Sequence, residues 1–279
     1  MKIGLQPNLF LQSPIEDAVK QTIELKPDCI EIVYEKPQFP PSIKENLICE
    51  KLKSILSTYN VESSVHSSFR GLNIGSESPE ERKNALKQTE KCIKFSNNID
   101  AKKVTVHSGY SSTPSSDNIS RLAARERFEE DLKACVKMAS EYSLKLAVEN
   151  MDNPQFYVCR LSEATELAEK IDGLSITFDV AHIHIYKSQN GISAPEKQIA
   201  EETISLLSDH LTHLHLSDNI GAEDRHLIPG DGLINFKPIV DAVKKINYNG
   251  QVIVELWKPS NPVKAGIKAL SVVQKMFNI

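Results

Sequence analysis

The chain reads LTHLHLSDNIGAEDRHLIPGDG from Leu211 to Gly232, a stretch that joins a short alternating segment to a loop rich in histidine and aspartate. Apolar residues alternate with polar ones over its first six positions, which predicts a β-strand and places His213 and His215 on one face. Ser217, Asp218 and the residues up to Gly221 then end the strand. Because imidazole and carboxylate groups are the usual ligands of zinc, manganese and related ions, the stretch predicts part of a metal site.

The same order of apolar run, polar loop and helical segment occurs eight times along the chain. The predicted strands are Lys2–Leu5, Cys29–Tyr34, Val61–His66, Lys103–His107, Leu144–Glu149, Leu174–Asp179, Leu211–Leu216 and Gln251–Leu256. The predicted helices lie near residues 14–25, 42–59, 79–98, 118–142, 161–171, 195–208, 236–246 and 260–277. Eight such units in 279 residues predict an α/β fold, a single (β/α)8 TIM barrel domain over residues 1–279. A doubly wound sheet is the alternative.

The composition narrows the classes of partner and location. The formal net charge is −4, with no long basic run, so nothing in the bulk charge indicates nucleic acid or an anionic membrane. No apolar run reaches the roughly 18 residues of a membrane-spanning helix, and the chain enters a strand-like segment at once instead of a signal peptide. Five widely spaced cysteines predict buried free thiols. Together these features predict a cytoplasmic protein, and they carry no signal for its oligomeric state.

Six successive predicted strands have, as their last or last but one residue, a side chain that can bind a metal ion. These residues are His66, His107, Glu149, Asp179, His215 and Glu255. Active sites of TIM barrels lie at the C-terminal ends of the strands, so we expect the six side chains to converge there. The residue before each of them is apolar, as contact with the outer helices requires. His213 lies one layer deeper, and we expect it to be a hydrogen-bonded interior residue and not a ligand.

Loop residues near these strand ends are further candidates for the site. His182 follows Asp179 by three positions, and Asp224 and His226 lie in the loop after His215. These three residues, together with His66 and His107, are interpreted as additional metal ligands or as contacts to substrate. Cations near the predicted mouth either meet a phosphate or carboxylate of the substrate or form surface ion pairs. These cations are Arg70, Arg225 and Lys258.

Several segments taken in order resemble one known superfamily over nearly the whole chain. The segments are VHSSFRGLNIGSESPEERKNAL, VTVHSG, LAVENMD, ITFDVAH, HLHLSDN followed by DRHLIPGDGLINF, and VIVELW. They resemble the xylose isomerase-like TIM barrel superfamily, which holds sugar and sugar-phosphate isomerases and epimerases, myo-inositol catabolic enzymes and endonuclease IV. In its epimerases and isomerases, one divalent ion is bound by residues from strands five to eight. The resemblance carries those roles to Glu149, Asp179, His215 and Glu255.

The resemblance implies a metal-dependent isomerase or epimerase that acts on a small sugar or sugar phosphate. Carboxylate and imidazole ligands without a thiolate admit manganese, zinc, cobalt, iron or magnesium as the divalent cofactor. A divalent ion that holds the adjacent oxygens of a hydroxy-ketone acidifies the neighbouring carbon. Glu149 and Glu255, on opposite sides of the ion, are then predicted to be the catalytic residues that remove and return its proton.

Endonuclease IV supplies an alternative function, phosphodiester hydrolysis at abasic sites in DNA. The nine ligands of its three zinc ions all have counterparts here: His66, His107, Glu149, Asp179, His182, His215, Asp224, His226 and Glu255. After strand two, however, that enzyme carries an Asn-Pro-Arg-Gln-Trp-type segment that enters DNA. This chain has Glu35–Pro41, EKPQFPP, with only Lys36 and Phe39 as basic and aromatic residues. Nucleic acid is therefore the disfavoured partner, and a metal-binding barrel without catalysis is a third interpretation.

Overall fold

The structure is a computed structural model that describes residues 1–40, 43–111, 118–221 and 223–278. Its strands form one closed parallel barrel in the order β1 to β8. The strands are β1 (Lys2–Leu5), β2 (Cys29–Val33), β3 (Glu62–His66), β4 (Lys103–His107), β5 (Lys145–Glu149), β6 (Leu174–Asp179), β7 (Leu211–Leu216) and β8 (Gln251–Val254). The helices are α1 (Ile15–Glu24), α2 (Glu45–Tyr59), α3 (Pro79–Asn98), α4 (Asn118–Ser140), α5 (Leu161–Lys170), α6 (Val180–Gln189), α7 (Glu196–Leu206), α8 (Phe236–Lys245) and α9 (Pro262–Phe277). The predicted TIM barrel is confirmed.

The structure contains two elements that the sequence does not predict. A 3₁₀ turn, Pro7–Phe10, follows β1, and helix α6 starts directly after β6. Helix α6 is buried on all sides from Val180 to Ile185, so it lacks the apolar stripe by which a helix is recognised in sequence. The predicted start of the second helix, residue 42, lies outside the described residues, and α2 begins at Glu45.

The alternation of side chains along the strands sorts them into a barrel interior and an outer layer. The outward residues Val65, Val106 and Phe178 are buried beneath the helices. Inside the barrel, the hydroxyl oxygens of Thr105 and Thr177 lie 2.9 Å apart. These two residues come from strands that are not neighbours, so the contact crosses the interior. The side chains that are predicted to face the barrel interior and the outer helices therefore do so.

Glycine at position 4 is required for the closure of the barrel. A Cβ atom at Gly4 would lie 2.6 Å from Cδ1 of Ile253 and 2.7 Å from the carbonyl oxygen of Cys29. Both are residues of the strands that flank β1. Any larger residue would push β1 away from β2 or β8.

The helices cover the barrel through regularly spaced apolar residues. Helix α8 buries Phe236, Ile239, Val240 and Val243, each of which is three or four positions from another, and the Asn235 side chain caps its first turn. All five cysteines are buried, and none of them is joined in a disulfide within the part of the chain that the structure describes. Within the described ranges, no helix combines the length and the apolar character that crossing a membrane demands.

Candidate active site

The ends of strands β3 to β8 bring six histidine and acidic side chains together at one end of the barrel. Glu149 lies at the middle of this cluster and is 1% exposed. Its Oε2 lies 3.0 Å from Nε2 of His66 and 3.4 Å from Nε2 of His107, and its Oε1 lies 3.1 Å from Nδ1 of His215. One carboxylate thus joins the side chains of strands β3, β4 and β7.

Three acids crowd around a single nitrogen of His215. Its Nδ1 lies 3.1 Å from Glu149 Oε1, 3.2 Å from Glu255 Oε1 and 4.0 Å from Asp179 Oδ2. Asp179 and His215 are fully buried, and Glu255 is 5% exposed. Burying several carboxylates side by side is unfavourable unless a cation lies among them. We call these four residues, Glu149, Asp179, His215 and Glu255, the acid cluster.

One oxygen of Asp179 supports a cation site. Asp179 Oδ1 accepts the backbone N–H of His182 at 2.7 Å and thereby caps helix α6. Its Oδ2 is buried and has no hydrogen-bond partner among the described residues. Ligand atoms of Asp179, His215 and Glu255 all lie within 4.8 Å of one another, which suits one metal ion. Three members of the acid cluster therefore fit one divalent ion, and Glu149 forms a second such group with Asp179 and His182.

Two buried residues of the site were missed in the sequence. Glu31, in the middle of β2, is fully buried, and its Oε1 lies 2.9 Å from Nε2 of His213. Its Oε2 lies 3.0 Å from Nε2 of His215, in contact but without the alignment of a hydrogen bond, and accepts the amide of Gln6 at 3.0 Å. The same amide donates to Oε1 of Glu255. His213 is thus an interior residue, as expected. The sequence feature that indicates Glu31 is its position as the single acid in the apolar segment CIEIV.

His182, Asp224 and His226 form a second group beside the acid cluster. Nδ1 of His182 lies 2.9 Å from the carbonyl oxygen of Asn150, so this nitrogen carries the proton and donates it. Its Nε2 faces Asp224 Oδ2 at 3.5 Å, and the same oxygen lies 2.7 Å from Nε2 of His226. The ring of Trp257 stacks on His226 at a centroid distance of 4.3 Å. His182, in the first turn of α6, and the loop residues Asp224 and His226 therefore all reach the site.

The loop that carries Asp224 and His226 is folded around the Asp218 side chain. Asp218 is fully buried, and its two oxygens accept the backbone N–H groups of Asn219, Gly230, Gly232 and Ile234 at 2.8 to 3.1 Å. Its backbone also exchanges two hydrogen bonds of 2.9 Å with Leu227. This framework holds His226 in a left-handed conformation with φ of 45°. Asp218, which the sequence indicated only as a strand breaker, thus positions the loop.

Replacing Asp218 by alanine is expected to destabilise the protein by several kcal/mol. Four backbone donors lose their acceptor, and each buried donor left unpaired costs about 1–3 kcal/mol. Urea unfolding followed by circular dichroism measures the change. Asp231→Ala is the matched control, because Asp231 lies in the same loop but forms only an exposed ion pair with Lys268. Equal midpoints for the two variants would contradict this role of Asp218.

Burial and charge divide the histidines of the site into protonated and neutral ones. Burial lowers the pKa of His66, but the hydrogen bond to Glu149 and the surrounding acids outweigh it and raise this pKa to about 9. Burial dominates at His107 and His213 and lowers their pKa values to about 3 and about 4. Burial and nearby Glu149 and Glu255 raise the pKa of Asp179 to about 7, against the charge of His182. Imidazolium groups thus balance part of the acid charge.

A cavity of about 220 Å³ opens above the acid cluster. Its walls include Phe69, Tyr110 and Trp257, with Glu149 and Glu255 among the lining residues. Arg70 and Lys258 line a smaller neighbouring cavity. Arg225 lines neither: its Nε donates to Glu223 at 2.6 Å in an exposed ion pair. Of the two interpretations of Arg225, the surface ion pair is therefore the observed one.

Comparisons with known proteins match the sequence and the fold of this chain. A family model described as xylose isomerase-like TIM barrel matches residues 19–274. Uncharacterized protein MJ1311 of Methanocaldococcus jannaschii is 27% identical over 284 residues, which cover 100% of this chain and 90% of that protein. L-ribulose-5-phosphate 3-epimerase UlaE of Escherichia coli is 25% identical over 191 residues, 68% of this chain and 62% of that enzyme. The crystal structure of a D-tagatose 3-epimerase-like protein superposes with a TM-score of 0.84 at 25% identity, over 100% of this chain and 97% of that one.

Proposed function

This chain belongs to the xylose isomerase-like TIM barrel family, and we propose that it is a metal-dependent epimerase or isomerase of a ketose or ketose phosphate. The observation that carries the proposal is the approach of Glu149 and Glu255 to one nitrogen of His215, at 3.1 and 3.2 Å. Their strands, β5 and β8, are three positions apart around the barrel. The two carboxylates therefore reach the centre from different sides. The likeness to UlaE, a 3-epimerase, supports the same class of reaction.

In this proposal the acid cluster holds the divalent ion. Glu149, Asp179, His215 and Glu255 offer three carboxylates and one imidazole, a donor set suited to manganese, zinc, cobalt, iron or magnesium. Bound there, such an ion supplies the polarisation of the substrate carbonyl that acidifies the adjacent carbon. Buried cysteines that form no disulfide among the described residues accord with a cytoplasmic enzyme.

Glu149 and Glu255 carry out the proton transfer. One carboxylate takes the proton from the carbon next to the carbonyl on one face, and the other returns a proton to the opposite face, which inverts that centre. His66 holds the second oxygen of Glu149 at 3.0 Å, and Gln6 holds Glu255, so both bases are fixed in orientation. His182, Asp224 and His226 border the same cavity and contact the hydroxyl groups of the substrate.

Elemental analysis of protein purified without chelator, combined with a turnover assay, tests the proposal. We expect close to one metal ion per chain and a loss of turnover on chelation that metal restores. Incubating ketoses and ketose phosphates in D₂O and following them by NMR reports inversion together with deuterium entry at the carbon next to the carbonyl. Failure of metal-loaded protein to epimerise or isomerise any member of such a panel would overturn the proposed function.

The affinity for metal is expected to rise with pH. The charges of Glu255, Glu31 and Glu149 outweigh burial and raise the pKa of His215 well above its usual value, so the imidazole is protonated at neutral pH without metal. A ligand must lose its proton to bind, so affinity changes up to about tenfold per pH unit for each proton released. Titration calorimetry in buffers of different ionisation enthalpy measures this release. An affinity that is constant between about pH 6 and pH 8 would contradict the prediction.

Hydrolysis of abasic DNA is the second candidate, because ligand atoms of His66, His107 and Glu149 also lie within 4.8 Å of one another. A property of the strand-two loop argues against it. Phe39 is 8% exposed and its ring lies 4.8 Å from that of Tyr34, so it is part of the core and does not project toward DNA. Three zinc ions per chain and cleavage of an abasic oligonucleotide would support the nuclease over the epimerase.

A further inference from the structure

A smaller cavity of about 60 Å³ adjoins the main one at the mouth of the barrel. The two share four lining residues, Asn8, Val33, Phe69 and Trp257. A substrate bound above the acid cluster therefore has a continuous wall along which its far end extends. We call the smaller space the side cavity.

Three cations line the side cavity, and each comes from the loop after a different strand. Lys36 follows β2, Arg70 follows β3 and Lys258 follows β8. All three are exposed. In the part of the chain that the structure describes, none of them forms an ion pair, whereas Arg225 on a neighbouring loop is neutralised by Glu223. Their charges are thus available to a ligand.

Two aromatic residues lie between the side cavity and histidines of the site. The ring of Phe69 stacks on His107 at 4.8 Å, and the guanidinium carbon of Arg70 lies 5.7 Å from the same ring. Trp257 stacks on His226 and is followed directly by Lys258. Phe69 and Trp257 thus each lie against a histidine of the site, and the cations that follow them in sequence, Arg70 and Lys258, line the side cavity.

The Glu35 carboxylate also lines the side cavity, and it accepts hydrogen bonds from backbone N–H groups. Glu35 accepts the N–H of Lys36 at 2.8 Å through one oxygen, and the N–H groups of Phe69 and Arg70 at 3.2 and 3.1 Å through the other. It organises the loops that carry the cations. Three positive charges face one negative charge in the side cavity, which leaves it with an attraction for anions.

We propose that the side cavity binds a phosphate monoester at the end of the substrate remote from the reacting carbon, so that the substrate is a ketose phosphate. This inference rests on the proposed function and extends it. A phosphate monoester carries a charge near −2 at neutral pH and three acceptor oxygens, which matches one guanidinium and two ammonium groups. A sugar acid offers the same chemistry through a carboxylate but with one charge fewer.

Calorimetric titration of the metal-loaded protein with unreactive probes tests this assignment. The probes are ribitol 5-phosphate, ribitol and ribonate, with the six-carbon analogues in parallel, because a polyol has no carbonyl and is not turned over. We expect the phosphate to bind at least about tenfold more tightly than the parent polyol and more tightly than the sugar acid. We expect Arg70→Met combined with Lys258→Met to remove this difference. The matched control Arg225→Met leaves it intact, and thermal unfolding checks that all variants are folded.

Equal binding of the phosphate by the double variant and the unsubstituted protein would overturn the inference, as would equal binding of phosphate and polyol. Sugar acid binding as tight as that of the phosphate would assign the side cavity to a carboxylate and overturn the phosphate assignment. Epimerisation of a free ketose as efficient as that of its phosphate would leave the proposed function standing and overturn the inference alone. Tight binding of ribitol 5-phosphate, with no turnover of any ketose or ketose phosphate, would overturn the proposed function and leave the side cavity as an anion site.

Discussion

Replacing either Glu149 or Glu255 by glutamine is expected to abolish epimerisation while the barrel stays folded. Glutamine keeps the shape of glutamate but neither takes nor returns a proton under these conditions. General acid–base catalysis by one group contributes about 10²–10⁴-fold to a rate, so turnover falls by at least that factor. Because both residues also belong to the acid cluster, metal content is measured for each variant and the assays are run at saturating metal.

Isotope exchange distinguishes loss of one base from general damage to the site. If each carboxylate serves one face of the carbon, a variant that keeps one base still exchanges the proton of one epimer with D₂O but no longer inverts it. Glu149→Gln and Glu255→Gln are therefore expected to exchange opposite epimers, as followed by NMR. Glu62→Gln is the control, because Glu62 begins β3 at the other end of the barrel and binds Lys2 and Gln251. Full activity of Glu255→Gln would refute the two-base proposal.

Replacing Glu31 by glutamine is expected to weaken metal binding by about 10–100-fold, the usual effect of removing the outer partner of a histidine ligand. Glu31 lies 3.0 Å from Nε2 of His215, opposite the nitrogen that faces the acid cluster. The charges of His215 and His213 outweigh burial and hold the pKa of Glu31 well below its usual value, so the side chain is anionic. Its charge makes the imidazole a stronger donor, and its contact fixes the ring.

Competition with a chromophoric chelator measures this effect, and turnover at saturating metal separates positioning from catalysis. We expect turnover at saturating metal to recover most of its original value in Glu31→Gln, because Glu31 does not line the cavity. Glu196→Gln is the matched control: Glu196 is also a buried acid beside an imidazole, 3.6 Å from His184, but it lies outside the site. Unchanged metal affinity in Glu31→Gln would show that Glu31 contributes only to stability.

The sequence predicted those parts of the site that depend on local pattern. Strand ends and the two-residue period placed His66, Glu149 and His215 in phase, and a closed parallel barrel necessarily brings such ends together. Glu31 was not predicted, because a single acid inside an apolar strand has no periodic signal. Its contacts are with His213 and His215, which are far from it in sequence. Likewise, only the folded structure shows that Arg225 forms an ion pair with Glu223, whereas Arg70 and Lys258 form none with the residues that the structure describes.

The orientation of the Asp179 carboxylate within the acid cluster is fixed before any ligand binds. One of its oxygens is tied to the first turn of α6, so the carboxylate is unable to rotate, and the direction of its other oxygen is set by the helix. The rotational entropy of this side chain is therefore already lost during folding and is not lost again on binding. Preorganisation of this kind favours tight binding and geometric selectivity together, and here it depends on where a helix begins.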